Sequence, residues 1–246
     1  MKAVILAAGS ARRLSPLADN THKCLLEVGE KGILEHQLDA LDRYGVAEAL
    51  IVVGFLKEQI QGRFGNQYRN MSLTYIENPD YATTNTVYSL YLAREFFSGE
   101  DFLYLNADVV FHHELIRRIL LSENASVLGV EVKPCGEEEV KVIVNNSHKI
   151  QRIGKKIDIE RSLGEFIGIA KFAAEMTNDF IEALKTVIDR GEKMAFFEKA
   201  VDLILCRHDL YYEDITDIPV IEIDFPEDLE KARKHILPRI KARDED

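Results

Sequence analysis

The sequence has few cysteines, no tryptophan and no long apolar run. No uninterrupted apolar stretch reaches the roughly 18 residues that a membrane-spanning helix needs, so we expect no membrane insertion. The three cysteines, Cys24, Cys135 and Cys206, form neither a disulfide framework nor a C-x-x-C metal motif, which fits a reducing, cytoplasmic location. The apolar segment 3–8 is shorter than the core of a secretory signal, and it predicts a buried first strand instead.

Basic residues are outnumbered as well. The chain of 246 residues carries 31 Lys and Arg against 42 Asp and Glu, a formal net charge of −11. This balance argues against a general nucleic-acid-binding protein, which needs a basic face. With 46% hydrophobic and 30% charged residues, the composition is that of a globular protein with room for one large domain.

Apolar runs alternate with helical patterns in the first half of the chain. Strands are predicted at 3–7, 49–53, 73–76 and 102–105. Helices are predicted at 33–43, 56–64, 86–97 and 114–121. This alternation is typical of an α/β fold with a doubly wound, mostly parallel, Rossmann-like sheet.

The second half is richer in strands. Strands are predicted at 126–132, 140–144, 149–153, 166–171 and 220–223, and helices at 173–190, at 195–206 and from Pro226 onward. No Gly- or Ser-rich linker divides the two halves. We therefore expect a single domain over 1–246, with a nucleotide-binding half at about 1–122 and a small β-rich substrate lobe and C-terminal helices at about 123–246.

The long loop after the first strand is the most informative segment. It combines small residues, which let backbone N–H groups approach an anion closely, with basic side chains. The charged residues of segment 1–25 are Lys2, Arg12, Arg13 and Lys23, against the single acid Asp19. A local charge of this sign in an acidic protein favours a polyanionic ligand over a solvated surface turn. Neither the G-x-x-x-x-G-K-[ST] nor the G-x-G-x-x-G phosphate motif is present.

Four parts of the chain resemble one enzyme family. The segment L-A-A-G-S-A-R-R-L-S-P-L at 6–17, followed by Lys23, resembles the L-A-A-G-x-G-x-R-[LM]-x-P-L-T…P-K signature of the nucleoside-triphosphate-dependent sugar-phosphate nucleotidyltransferases. Ala11 stands where that family has its second glycine, and His22 where a proline precedes the lysine. T-N-T-V-Y-S-L-Y at 84–91, G-E-F-I-G at 164–168 and E-I-D-F-P-E-D-L at 222–229 are similar to the phosphocholine and 2-aminoethylphosphonate cytidylyltransferase-like branch.

This resemblance implies a glycosyltransferase-A-like nucleotidyltransferase fold and a cytidylyltransferase activity. Such an enzyme transfers CMP from CTP to a small phosphate or phosphonate, such as 2-aminoethylphosphonate or phosphocholine, and releases pyrophosphate. Two alternatives remain: a hexose-1-phosphate nucleotidyltransferase that uses UTP or dTTP, and a non-catalytic nucleotide-binding regulatory module. The sequence leaves assembly into a homo-oligomer open.

The family motifs also imply roles for individual residues. Lys23 and Arg13 are the expected catalytic cations, because two polyanions must be brought together. The expected nucleotide-binding residues are Leu6, Ala7, Ala8, Gly9, Ser10, Asn78, Thr84, Asn85 and Ser89. For Thr84 and Asn85, helix capping is the competing interpretation.

Two aspartates and one glutamate complete the predicted site. Asp108 and Asp224 each follow a strand, and carboxylate oxygens at strand ends suit octahedral Mg²⁺. The competing interpretations are a turn residue for Asp108 and a helix N-terminal residue for Asp224. Glu165 resembles the family's substrate-binding acid and is expected to bind an ammonium or hydroxyl group of the acceptor.

Overall fold

The computed structural model describes residues 1–245. Its strands are β1 (Lys2–Ala7), β2 (Glu27–Val28), β3 (Lys31–Gly32), β4 (Glu48–Val53), β5 (Gln67–Tyr68), β6 (Met71–Glu77), β7 (Phe102–Asn106), β8 (Val109–Phe111), β9 (Val127–Glu131), β10 (Lys141–Val144), β11 (Ile150–Gly154), β12 (Gly164–Phe172), β13 (Tyr211–Asp214) and β14 (Val220–Glu222). Its helices are α1 (Ile33–Arg43), α2 (Lys57–Phe64), α3 (Thr86–Leu92), α4 (Arg94–Phe97), α5 (Glu114–Leu121), α6 (Ala174–Asp189), α7 (Glu198–Ile204), α8 (Pro226–Lys231) and α9 (Leu237–Asp244). A π-helical turn, Ala232–Ile236, joins α8 to α9.

One large mixed sheet forms the centre of the molecule. Its order is β11-β10-β12-β7-β1-β4-β6-β5, and β9 pairs with both β12 and β13. β7, β1, β4 and β6 run parallel to one another, whereas β12 joins β7 antiparallel. The predicted α/β class with a mostly parallel, doubly wound sheet is confirmed. The β-rich segment extends this same sheet instead of forming a separate one.

Helices cover both faces of the sheet. Along β1, Ala3, Ile5 and Ala7 pack into one hydrophobic cluster with side chains of α1, α2 and α5. Val4 and Leu6 point the other way and pack with α3, α6 and α7. Because successive residues of a strand face opposite sides, a strand buried on both faces is apolar throughout, as β1 is. Within residues 1–245, no helix combines the length and apolarity needed to span a bilayer.

A two-stranded ribbon stands apart from the main sheet. β8 pairs antiparallel with β14, with Glu222 opposite Val109 and Val220 opposite Phe111. The backbone N–H of Ile223 donates to the carbonyl of Asp108 at 2.9 Å and continues the pairing by one residue. A third hydrophobic cluster, which includes Val110, Ile223 and Ile236, packs the C-terminal helices onto this ribbon.

The structure differs from the sequence expectations at several elements. The helix predicted at 86–97 is divided at Ala93 into α3 and α4, because ψ at Ala93 is −3° and departs from α-helical geometry. The helix predicted at 195–206 is shorter, at Glu198–Ile204. The strands β2, β3, β5, β8 and β13 were not predicted, since two to four residues are too few for an alternating pattern to show.

Gly54 and Gly62 give a matched test of the packing beneath the first loop. A Cβ atom at Gly54 would lie 2.7 Å from the Ala8 carbonyl oxygen and 2.8 Å from the Cβ of Tyr81, whereas a Cβ at Gly62, inside α2, meets nothing within 4 Å. We expect Gly54→Ala to lower the free energy of unfolding by about 1–3 kcal/mol through overpacking. Gly62→Ala should raise it by about 0.5–1 kcal/mol. Urea denaturation measures both, and equal effects of the two substitutions would contradict this account.

Candidate active site

Two adjoining clefts open at the carboxyl ends of β1, β6 and β7. Their volumes are about 640 Å³ and about 380 Å³, and Leu6, Gly9, Arg13, Asp108 and Asp224 line both. The larger cleft is also lined by the predicted site residues Ala8, Asn78, Thr84, Asn85, Ser89 and Glu165. The smaller cleft is also lined by Ala7, Ser10, Lys23, Thr84 and Asn85. The fold therefore brings together every site residue predicted from the sequence.

A buried histidine, His22, holds the turn of the first loop that carries Lys23. His22 is 3% exposed, and its Nδ1 atom accepts a hydrogen bond from the backbone N–H of Cys24 at 3.2 Å, at the start of a 3-10 turn, Lys23–Leu25. Its own backbone N–H donates to Oε1 of Gln59 at 2.8 Å. Burial lowers the pKa of His22 to about 4, so the ring is neutral at pH 7. His22 thus fixes the turn that carries Lys23, in the position where the family has proline.

Ala11, which stands where the family motif has a glycine, adopts a backbone conformation that favours glycine. Its φ and ψ are 47° and 41°, in the left-handed region, and it precedes a 3-10 turn at Arg12–Leu14. That conformation costs a residue with a Cβ roughly 1–2 kcal/mol. Leu14 is fully buried in the cluster that contains Ile223, and this packing holds the loop against the ribbon. The departure from the family motif therefore leaves the turn itself in place.

Three carboxylates meet next to this loop. Asp108, Glu222 and Asp224 each place one carboxylate oxygen within 4.8 Å of the corresponding oxygens of the other two. The ribbon explains the arrangement, because Ile223 pairs with Asp108 and its two neighbours flank that aspartate. Lys23 lies among them, with its Nζ atom 2.9 Å from Oδ2 of Asp108 and 2.7 Å from Oδ1 of Asp224. Arg13 reaches Oδ2 of Asp224 at 3.5 Å and stacks over Phe225.

The charges of this cluster are unbalanced. Burial alone would lower the pKa of Lys23, but the charges of Asp108 and Asp224 outweigh burial and raise it, so the ammonium stays charged. Burial, then the charges of Asp108 and Asp224, raise the pKa of Glu222 well above its usual value. One oxygen of Asp108, Oδ1, is buried without a hydrogen-bond partner among the described residues. The cluster can accept more positive charge than Lys23 supplies.

A hydrogen-bonded network supports the wall formed by the start of α3. The side-chain N–H groups of Asn78 donate to Oγ1 of Thr84 and to Oγ of Ser89, both at 3.0 Å. Asn78 is 1% exposed, and its Oδ1 atom accepts from the backbone N–H of Asp80. Its buried amide therefore links the loop after β6 to the start of α3. Asn85 caps α3, because its Oδ1 atom accepts from the N–H of Thr86 at 2.8 Å.

Glu165 lies on the wall that comes from the second half of the chain. Lys133 bridges it to Glu131, with Nζ distances of 2.7 Å and 2.6 Å. Burial raises the pKa of Glu165, and Lys133 opposes that rise. Two glycines allow this packing: a Cβ at Gly164 would lie 2.1 Å from the Glu131 carbonyl oxygen, and Gly168 has a φ of 80° against Asn106.

Glu198 is a second acid on this wall. It is 4% exposed, it lines the larger cleft, and its Oε2 atom is buried with no hydrogen-bond partner in the described chain. Burial raises its pKa to about 7. A buried carboxyl group of this kind is costly unless a ligand completes its contacts.

Sequence reasoning missed Glu222, Glu198 and Lys133 as parts of the site. Glu222 was within reach, because it lies two residues before Asp224 and an extended strand places such residues on one face. Glu198 gave no signal, since an acid in the first turn of a helix is common for capping and dipole reasons. The bridging position of Lys133 depends on the pairing of β9 with β12, which the sequence does not specify.

Comparisons with known proteins agree with this geometry. A family described as the MobA-like NTP transferase domain matches residues 3–152. The CMP-5'-(3-aminopropyl)phosphonate synthase of Streptomyces rubellomurinus is 31% identical over 97% of this chain, and the chain spans 39% of the length of that protein. The choline-phosphate cytidylyltransferase of Streptococcus pneumoniae is 27% identical, over 95% of this chain and 97% of its own length.

A solved structure, that of CTP:phosphocholine cytidylyltransferase from Streptococcus pneumoniae, has a TM-score of 0.77 and 26% identity and covers 95% of this chain and 97% of its own. A glucose-1-phosphate thymidylyltransferase structure from Bacillus anthracis, at 19% identity and a TM-score of 0.79, shares the fold. The resemblance and the fold class inferred from the sequence are confirmed. The chain belongs to the MobA-like NTP transferase domain family.

Proposed function

We propose that this protein is a cytidylyltransferase that transfers CMP from CTP to a small zwitterionic phosphonate or phosphate and releases pyrophosphate. The observation that carries the proposal is the cluster of Asp108, Glu222 and Asp224 around Lys23, beside a loop of small residues at the carboxyl end of β1. The aminoalkylphosphonate and choline-phosphate activities of the two relatives described above support the choice of CTP and of the acceptor.

The reaction follows from charge. An oxygen of the acceptor phosphonate attacks the α-phosphorus of CTP, a new P–O bond forms, and the bond to the β-phosphate oxygen breaks as pyrophosphate leaves. The attacking oxygen is already an anion at neutral pH, so no general base is needed. The barrier comes from bringing two polyanions together and from the charge that develops on the leaving group. Fixed cations that offset this charge accelerate such a step.

Lys23 and Arg13 are the residues that supply those cations. Lys23 is held by two aspartates on one side and borders the smaller cleft on the other, so its ammonium is positioned for a phosphate oxygen. Arg13 is more exposed, with 54% of its side chain accessible, and borders both clefts. We assign Lys23 to the α-phosphate and the incoming acceptor, and Arg13 to the β- and γ-phosphates.

Mg²⁺ is the cofactor that the carboxylate cluster fits. Three carboxylates supply only oxygen donors, which Mg²⁺ prefers, and the unpartnered Oδ1 atom of Asp108 is available as a ligand. Asp108 and Asp224 would hold the ion, with Glu222 beside them. When bound, the ion would offset the negative charge of the triphosphate.

The wall that carries Glu165 and Glu198 favours a substrate with a positively charged group. Glu131 and Glu165 share one cation, Lys133, while Glu198 has no hydrogen-bond partner on its buried oxygen within residues 1–245. An ammonium group of the acceptor would satisfy Glu198 and balance this wall. The phosphonate end of the same molecule would then face Lys23.

A panel of nucleotides and acceptors tests the proposed function. We expect pyrophosphate release with CTP and 2-aminoethylphosphonate, 3-aminopropylphosphonate or phosphocholine, and much slower release with UTP or dTTP and glucose 1-phosphate. The reverse order would favour a hexose-1-phosphate nucleotidyltransferase. Calorimetric binding of nucleotide without pyrophosphate release from any acceptor would favour a regulatory module and contradict the proposal.

Lys23→Met tests the role of the central ammonium. Loss of this charge should lower kcat by about 10²–10³-fold, the scale for removal of one group that stabilises transition-state charge. Lys31→Met is the matched control, because Lys31 also pairs with an aspartate, Asp39, but lies outside both clefts. Circular dichroism checks folding, and an unchanged rate in Lys23→Met would refute the assignment.

Glu198→Gln tests recognition of the ammonium group. A hydrogen bond to a charged group contributes about 1.5–3 kcal/mol, so KM for 2-aminoethylphosphonate should rise about 10- to 100-fold. KM for ethylphosphonate, which lacks the amine, should stay the same. Glu160→Gln, at an exposed position, is the control.

The pH dependence gives the same test a second readout. Because the pKa of Glu198 is about 7 in the free protein, its carboxyl ionises as pH rises from about 6 to about 8, while the amine of the substrate stays protonated. The preference for 2-aminoethylphosphonate over ethylphosphonate should therefore increase over this range in the parent protein. In Glu198→Gln it should stay flat, and an equal increase in both proteins would count against Glu198.

A further inference from the structure

Two histidines and an aspartate meet on a part of the molecule that the proposed reaction does not use. His112 and His113 lie between β8 and α5, and Asp244 ends α9. Oδ1 of Asp244 is 3.3 Å from Nε2 of His112 and 3.0 Å from Nε2 of His113. We propose that these three side chains bind one divalent transition-metal ion, of the zinc, cobalt or nickel type.

The spacing of the three atoms fits a common metal. Zinc binds imidazole nitrogen and carboxylate oxygen at roughly 2.0–2.2 Å, so neighbouring ligands of a tetrahedral ion lie roughly 3.3 Å apart. The two distances to Asp244 match this separation, and all three ligand atoms lie within 4.8 Å of one another. The ring centroids of His112 and His113 lie 4.2 Å apart with their planes inclined by 33°, so the rings would rotate to point both Nε2 atoms at the ion.

Groups behind the histidines can orient both rings. The Oη atom of Tyr44 is 2.6 Å from Nδ1 of His113, and Oε2 of Glu114 is 3.7 Å from Nδ1 of His112. Metal-bound histidines usually donate their second N–H to such an oxygen. Without metal, Nδ1 of His112 accepts from the backbone N–H of Glu114 at 3.3 Å. Loading moves the ring proton from Nε2 to Nδ1, so this hydrogen bond breaks and the new N–H turns toward Oε2 of Glu114.

The site is held in place independently of any ion. Arg243, next to Asp244, pairs with Glu114 and with Asp217, the latter at 3.0 Å. His112 is 2% exposed, whereas 45% of the Asp244 side chain is accessible. The exposed aspartate gives the ion access and leaves room for a water ligand. The bound ion would link the end of α9 to the residues that precede α5.

The donor set distinguishes this site from the carboxylate cluster. Two imidazole nitrogens and one oxygen favour zinc, cobalt or nickel, whereas the three carboxylates around Lys23 favour magnesium. Within residues 1–245, these are the two groups of at least three His, Cys, Asp or Glu side chains whose ligand atoms lie within 4.8 Å of one another. The two sites can therefore be loaded separately.

Cobalt is a suitable probe, because protein-bound Co²⁺ absorbs visible light. The full chain, freed of metal and supplied with excess Mg²⁺ to cover the carboxylate cluster, is titrated with Co²⁺. We expect one Co²⁺ per chain with a visible spectrum, and displacement by Zn²⁺. His113→Gln, which keeps an N–H donor for Asp244, and Asp244→Asn should each weaken Co²⁺ binding by at least about 100-fold.

His208→Gln is the matched control, because His208 pairs with a single aspartate, Asp179, at 2.8 Å. The His208→Gln protein should bind Co²⁺ as tightly as the parent protein does. Circular dichroism and pyrophosphate release with Mg²⁺ verify that each variant is folded. The proposal would be overturned if the parent protein failed to take up one Co²⁺. It would also be overturned if His113→Gln and Asp244→Asn bound Co²⁺ as tightly as the parent protein. The three side chains would then form a hydrogen-bonded contact only.

Discussion

The candidate active site depends on one electrostatic constraint: three carboxylates lie together at the carboxyl edge of the parallel strands, with one buried ammonium among them. Asp108, Glu222 and Asp224 repel one another, and Lys23 offsets only part of that repulsion. The raised pKa of Glu222, which burial and its two acidic neighbours cause, expresses the same deficit of positive charge. This deficit favours a cationic ligand at the site, and it supports the proposal that an ion and a polyanionic substrate bind there.

The pairing of β8 with β14 brings the three carboxylates together. β7 delivers Asp108 to the edge of the main sheet, and the chain turns directly into β8, which pairs with β14 more than 100 residues later. That ribbon places Glu222 and Asp224 on either side of the residue that pairs with Asp108. The C-terminal helices pack over the ribbon and over Leu14 of the first loop, so one hydrophobic cluster holds the cations and the acids in register.

The sequence predicted the central sheet and most of the residues that line the two clefts, and the physical reasons are visible in particular residues. The parallel strands are long apolar runs, and the first loop combines small and basic residues, so both leave clear patterns. β14 was predicted at 220–223, but β8 and its pairing with β14 were not, because a three-residue strand has no periodicity and the pairing depends on tertiary contacts. Glu222 was not assigned because the pairing of β14 with β8 is what brings it to Asp108, and Glu198 because an acid in the first turn of a helix is common for dipole reasons. Asn78 was expected to bind the nucleotide, and its amide is engaged within the protein.

A crystal structure with Mg²⁺ and a non-hydrolysable CTP analogue tests the central claim most directly. The account predicts an ion coordinated by Asp108 and Asp224, with the Nζ atom of Lys23 shifted from between these aspartates to a phosphate oxygen. A complex in which the nucleotide binds elsewhere, or in which Lys23 keeps both aspartate contacts and no ion joins the carboxylates, would contradict it.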